Sequence, residues 1–111
     1  MEVKLRTQDD CDIVDLVGEF DFLTAQDVKD QIIDVIQSGI QKLVINLEQL
    51  KYIDSTGLGI LITLWTKARE KNVAFKYAGL NGSVEKVITL SRMHLFLPIC
   101  KTVEEAVKAL Q

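Results

Sequence analysis

The segment Asp54-Ser55-Thr56-Gly57-Leu58-Gly59 sets an acid, two hydroxyls and two glycines between an aliphatic run and the most apolar helical stretch of the chain. That place is a helix start, where the first N–H groups lack intrahelical partners and carry partial positive charge. An Asp or Ser there accepts from those groups, and glycines let a phosphate or another chain approach the backbone closely. A nucleotide-binding loop would need GxxxxGK(S/T), which is missing, and no Lys lies in the segment. A serine hydrolase would need a base and an orienting acid. GxSxG is missing, and His94, the single histidine, would have to reach Ser55. Two readings stay open on the residues alone. In one, Asp54, Ser55 and Gly57 are a cap with tight packing; in the other, Ser55 is a hydroxyl displayed to a partner kinase.

No other constellation carries chemistry. Cys11 and Cys100 form no CxxC pair, and with one His the chain lacks the roughly four clustered ligands of a structural zinc site. They read as reduced thiols half-buried in strands. Asp9, Asp10, Asp12 and Asp15 lie on a strand hairpin, where alternate residues point to opposite faces, so they solvate a surface. No metal and no cofactor is expected.

The elements that must hold the segment follow from periodicity. Val3 and Leu5 alternate with charged residues, Gln8-Asp9-Asp10 is a polar turn, and Cys11–Val17 is the return strand, closed by Gly18. Thr24 is expected to open a helix with Asp27 as its capping-box partner, and with Ala25, Val28, Ile32, Val35 and Ile36 inward. Lys42–Leu47 reads as a strand buried on both faces. A second helix spans about residues 55–71 by its start signal and apolar content, followed by a strand over Val73–Ala78. Ser83 is expected to cap a short helix with Val84, Val87 and Ile88 inward. Pro98 confines any strand near Ile99 to a sheet edge, and Thr102-Val-Glu-Glu105 caps a last helix. Helices crossing between successive strands imply an α/β fold with a mixed sheet.

Composition narrows the function. A chain of 111 residues, 48% apolar, with one Pro fits one domain with a real core and excludes disorder. A net charge of −3 without a basic stripe disfavours nucleic acid as a partner. The N-terminus lacks a signal peptide's cationic head and apolar run, and no apolar stretch approaches 18 residues. The expectation is a cytoplasmic protein that engages no membrane.

The stretch Leu47-Glu-Gln-Leu-Lys-Tyr-Ile-Asp54-Ser55-Thr56-Gly57-Leu58-Gly59 resembles the signature of STAS-domain anti-sigma factor antagonists, the bacterial anti-anti-sigma proteins of partner-switching pathways. Gly18-Glu19-Phe20-Asp21, Val44-Ile-Asn-Leu47 and Val87-Ile-Thr-Leu-Ser91 are similar to further segments of that family. The resemblance implies one STAS domain over residues 1–111, with four to five strands and about four helices. It implies that Ser55 is phosphorylated, with Asp54 beside it, Asp21 on a nearby loop, Gly57 in its surroundings and Thr56 a lesser phosphorylation candidate. Many relatives carry Gly where this chain has Arg92, a departure that bears on the conformation of that turn.

The implied function is a switch operated by others. The unphosphorylated protein would bind an anti-sigma factor that is a GHKL-type ATPase and serine kinase, and release its target. Phosphorylation would abolish binding, and a metal-dependent phosphatase would restore it; the chain itself would be no enzyme. The rival is a STAS accessory subunit of a transporter or other signalling assembly, docking without a phosphate cycle. On the second helix the inward stripe is expected to be Leu58, Leu61, Ile62, Trp65 and Ala68. At 100° per residue, Ile60 then projects about 140° and Leu64 about 100° from its centre. Ile60, Leu64 and Gly59, with Phe22 and Thr24 of the nearby loop, are the expected partner contacts.

Overall fold

The computed structural model describes all of residues 1–111. The chain runs β1 (Glu2–Gln8), β2 (Cys11–Phe20), α1 (Ala25–Ile36), β3 (Lys42–Asn46), β4 (Leu50–Ile53), α2 (Ser55–Glu70), β5 (Ala74–Ala78), α3 (Gly82–Leu90), a 3-10 turn (Met93–Leu95), β6 (Ile99–Cys100) and α4 (Val103–Ala109). The sheet order is β1-β2-β3-β5-β6, with β4 on β2. β1 and β2 are antiparallel, paired from Glu2–Val17 to Gln8–Cys11 around a two-residue turn in which Asp9 takes a φ of 55°. The other pairings are parallel.

Both faces of the sheet are covered, which is why β3 reads as an unbroken apolar run. Leu43 and Ile45 face α1, α2 and α3 in the larger core, with Val14, Leu16, Phe75 and Tyr77. Val44 faces the other way, with Cys11, Ile13 and Ala78 beneath Val103, Ala106 and Val107 of α4. Cys11 is buried and Cys100 half-buried, both free. The Tyr77 hydroxyl donates to the Leu61 carbonyl at 2.6 Å, tying the underside of α2 to the sheet. Buried Asn46 donates to Asp15 at 2.9 Å and accepts from Glu48 N. Burial works against the Asp15 carboxylate, but hydrogen bonds from Arg6 and Asn46 outweigh it and hold its pKa below the ordinary value.

Four expectations are corrected. The sheet has six strands, because β4 was not foreseen: its inward residues are Leu50 and Ile53 with Lys51 and Tyr52 outward, a pattern that does not alternate. Thr24 precedes α1 but its side chain caps nothing there. Asn81 precedes α3, while the Ser83 hydroxyl donates to the Lys51 carbonyl at 2.7 Å and fastens α3 to β4. Finally, α2 is rotated from its expected phase. Gly57, Leu61, Leu64 and Ala68 face inward, Leu58 and Trp65 are half-buried, and Ile62 is exposed. Leu64, expected at the partner surface, is wholly buried. The cause is Gly57. A Cβ there would collide with the Phe20 carbonyl oxygen and lie 2.9 Å from Ile53 Cγ1, so the helix sits on its smallest residue, which apolar periodicity does not weigh.

Candidate functional site

Strand β4 makes the site. Strand β2 pairs with β3 through Asp12–Asp15, bulges at Gly18/Glu19, then pairs with β4 through Phe20–Ile53. The two chain segments that leave this pair carry Asp21 and Asp54, and Asp54 N donates to the Phe20 carbonyl at 3.2 Å. The motif before α2 and the loop before α1 are thereby neighbours at the carboxyl ends of parallel strands.

Asp54 joins them. Its Oδ1 accepts from Gly57 N at 2.9 Å, capping α2, and its Oδ2 accepts from Phe22 N at 2.9 Å. Asp21 organises the other side: its Oδ1 accepts from Leu23 N at 2.9 Å and from Thr24 N at 3.2 Å, and its carbonyl accepts from Ala25 N. The Thr24 hydroxyl accepts from Asp21 N at 3.0 Å and donates to the Glu19 carbonyl at 2.9 Å. Both carboxylates and this hydroxyl are engaged with backbone groups of the two segments.

Ser55 and Thr56 are the exceptions. Ser55 is the first residue of α2, exposed, and its hydroxyl makes no hydrogen bond within the chain; the hydroxyl of exposed Thr56 makes none either. The backbone N–H of Gly57 is taken by Asp54 and that of Leu58 by the Asp54 carbonyl, so those of Ser55 and Thr56 are left without intrahelical partners. His94 lies on the 3-10 turn and shares no hydrogen bond with Ser55.

Ser55, Asp54, Thr56, Gly57, Asp21, Phe22 and Thr24 come together here. Gly59 is exposed, with nothing within 4 Å of where its Cβ would be. Ile60 is half-buried against the larger core and keeps only an edge at the surface. Sequence reasoning missed Leu23, 86% exposed beside Phe22 at 75%. The available signal was two large apolar residues in succession inside a loop.

Comparison with known proteins identifies the family. The family model described as the STAS domain matches residues 2–106. An anti-sigma-B factor antagonist of Staphylococcus aureus is 32% identical over 91 residues, covering 82% of this chain and 84% of the relative. The crystal structure of an anti-sigma factor antagonist from Mycobacterium paratuberculosis superposes with a TM-score of 0.88 at 24% identity, over 98% of this chain and 92% of that one. The Bacillus cell fate determinant SpoIIAA in its phosphorylated form shares the fold, with a TM-score of 0.72 at 19% identity over 99% and 100% of the two chains. The model match spans nearly the whole chain, and this protein therefore belongs to the STAS domain family.

Proposed function

We propose that this protein is an anti-sigma factor antagonist whose binding is switched at Ser55. Unphosphorylated, it docks on an anti-sigma factor that is also a serine kinase of the GHKL ATPase class, and the docked complex releases the factor's target. The kinase transfers phosphate to Ser55, binding is lost, and a metal-dependent phosphatase restores the hydroxyl. The ATP and the metal belong to the partners, and the chain acts by binding, in the cytoplasm.

The observation that carries the reading is the free hydroxyl of Ser55 on a frame in which Asp54, Asp21 and Thr24 are all engaged with backbone groups. A kinase needs an accessible hydroxyl, and a binding surface gains from being rigid beforehand. Phe22 and Leu23 project beside it from a loop whose backbone donors are satisfied, which suits apolar anchors in a partner's cleft. Gly59 and the exposed edge of Ile60 extend the same face along α2.

Phosphoserine adds about −1.5 to −2 charges. A unit like-charge pair near 4 Å costs about 1 kcal/mol in water and about 4 at an effective dielectric of 20, so one or two partner carboxylates suffice to lower affinity by orders of magnitude. Within the chain the unpartnered N–H groups of Ser55 and Thr56 at the start of α2 oppose that cost by about 0.3–1 kcal/mol. Disruption is therefore expected at the interface, with the fold intact.

Incubation with a GHKL-class kinase that binds the protein, with ATP, followed by mass spectrometry, tests this. One phosphate is expected, on Ser55, and none on a Ser55→Ala variant. Phosphate on Thr56 alone, or none despite tight binding, would overturn the reading.

A further inference from the structure

The turn that follows α3 carries a second surface that the Ser55 site does not use. Leu90, Leu95 and Phe96 are 84%, 64% and 62% exposed, three large apolar side chains within seven residues. Single exposed apolar residues are ordinary on a monomer, whereas a cluster marks a contact. Leu97 and Met93 of the same segment turn inward to the larger core, so the segment is anchored and the exposed three are held out from it.

Along the chain the charge beside them is one-sided. From Lys86 to Val103 the sequence contains no Asp or Glu, in a chain that has 16 acidic residues, and it contains Lys86, Arg92, Lys101 and His94. Lys86 and Leu90 are four residues apart on α3 and both exposed, so they share a face. Glu85, the carboxylate of α3, is set about 100° round the helix from Lys86.

Arg92 sits at the apex. Its φ of 62° and ψ of 17° are left-handed, fixed by Arg92 N on the Thr89 carbonyl and Leu95 N on the Arg92 carbonyl. Glycine takes that conformation without steric cost, and arginine does not. A cation therefore stands where the backbone alone favours glycine.

We propose that this turn seats on an anionic lipid surface, with Leu90, Leu95 and Phe96 entering the boundary between headgroups and acyl chains and Lys86 and Arg92 meeting the phosphates. Peripheral anchors combine apolar tips with basic residues in this way, and no spanning helix is required. A second copy seated through the same turn fits poorly, because it would set Lys86 and Arg92 against like charges. A docked peptide fits poorly too: none of the surface clefts is lined by residues 82–102, so the tips protrude with no groove beside them. The seating is independent of the phosphate cycle at Ser55.

Co-sedimentation of the full chain with vesicles tests it, comparing phosphatidylcholine alone with equal parts of phosphatidylglycerol and phosphatidylcholine. We expect partition onto the anionic vesicles to exceed that onto the neutral ones by about tenfold or more, and to fall with added salt. Arg92→Gly keeps the turn and removes the cation, and should lower partition about fivefold. A Leu95→Ser, Phe96→Ser double variant should lose it, with an unchanged circular dichroism spectrum, while Ser55→Asp should leave it unaltered. No preference for the anionic vesicles, or equal sedimentation of the double variant, would overturn the proposal. So would self-association, or retention of an acidic protein, that depends on Leu95 and Phe96 in the absence of lipid binding.

Discussion

The starts of α1 and α2 lie side by side and use the same residue types to opposite ends. Each has an acid, a hydroxyl and a run of helix N–H groups without intrahelical partners. Before α1, Asp21 precedes the hydroxyl by three residues and folds the chain so that Thr24 is caught between Asp21 N and the Glu19 carbonyl. Before α2, Asp54 immediately precedes the hydroxyl, caps the helix itself and also holds Phe22 N, which leaves Ser55 with nothing to bond. The availability of a hydroxyl at a helix start thus depends on where the acid stands: three residues ahead it locks the hydroxyl in, one residue ahead it frees it.

The largest effect should come from Gly57→Ala. The new Cβ meets the Phe20 carbonyl, a backbone atom at the junction of β2 and β4 that cannot swing aside, so α2 has to lift. Overpacking of this kind costs about 1–3 kcal/mol. Urea denaturation should show the loss, and both helix starts should lose protection in hydrogen exchange together. Loss confined to α2 would mean that the two starts are not joined as described. Asp54→Ala comes next. It removes the cap of α2 and the acceptor of Phe22 N, at about 1–2 kcal/mol. Asp54→Asn, which keeps one acceptor oxygen, should recover part of it.

The two hydroxyls then separate cleanly. Thr24→Ala leaves Asp21 N without its acceptor and should destabilise by about 1–2 kcal/mol. Ser55→Ala should change stability by no more than about 0.5 kcal/mol, as for any exposed side chain without contacts. Equal losses at both positions in thermal unfolding would make Ser55 a structural cap and withdraw the main support for the switch.

Much of this was legible in residue types and spacing, for physical reasons that also mark where legibility stops. Strand β3 announced itself because burial on both faces demands an aliphatic run, and α4 because Thr102 and Glu105 make a local cap, observed as Glu105 N on Thr102 Oγ1 at 3.1 Å. The motif at Asp54-Ser55 was legible because helix-start chemistry is local. Strand β4 was not, since four residues with two outward neighbours in the middle become a strand only through pairing with β2. The rotation of α2 was hidden because it is set by close approach at Gly57, across a contact between residues distant in sequence. Leu64 was misplaced, and the exposure of Ile62 missed, for that single reason. Thr24 fits a cap by its identity, but its hydroxyl is held in the preceding loop, which Asp21 folds by accepting from Leu23 N and Thr24 N, and no side chain caps α1.

One further effect on stability has a reversed sign. Gly57 and Gly59 are two residues apart on α2, and one is wedged against backbone while the other faces open space. A glycine inside a helix is less favourable than alanine by about 1 kcal/mol. Since no neighbour in the chain needs the missing Cβ of Gly59, Gly59→Ala should raise stability by about 0.5–1 kcal/mol, measured as an upward shift of the urea midpoint. If the docking face runs from Ser55 along α2, the same methyl enters the contact and should weaken binding to the kinase while the fold becomes more stable. A variant that is more stable and binds equally well would end the partner's surface before Gly59 and confine it to Ser55 and the Phe22–Leu23 loop. Opposite movements of stability and affinity would assign the glycine to the partner, as Gly57 is assigned to the fold.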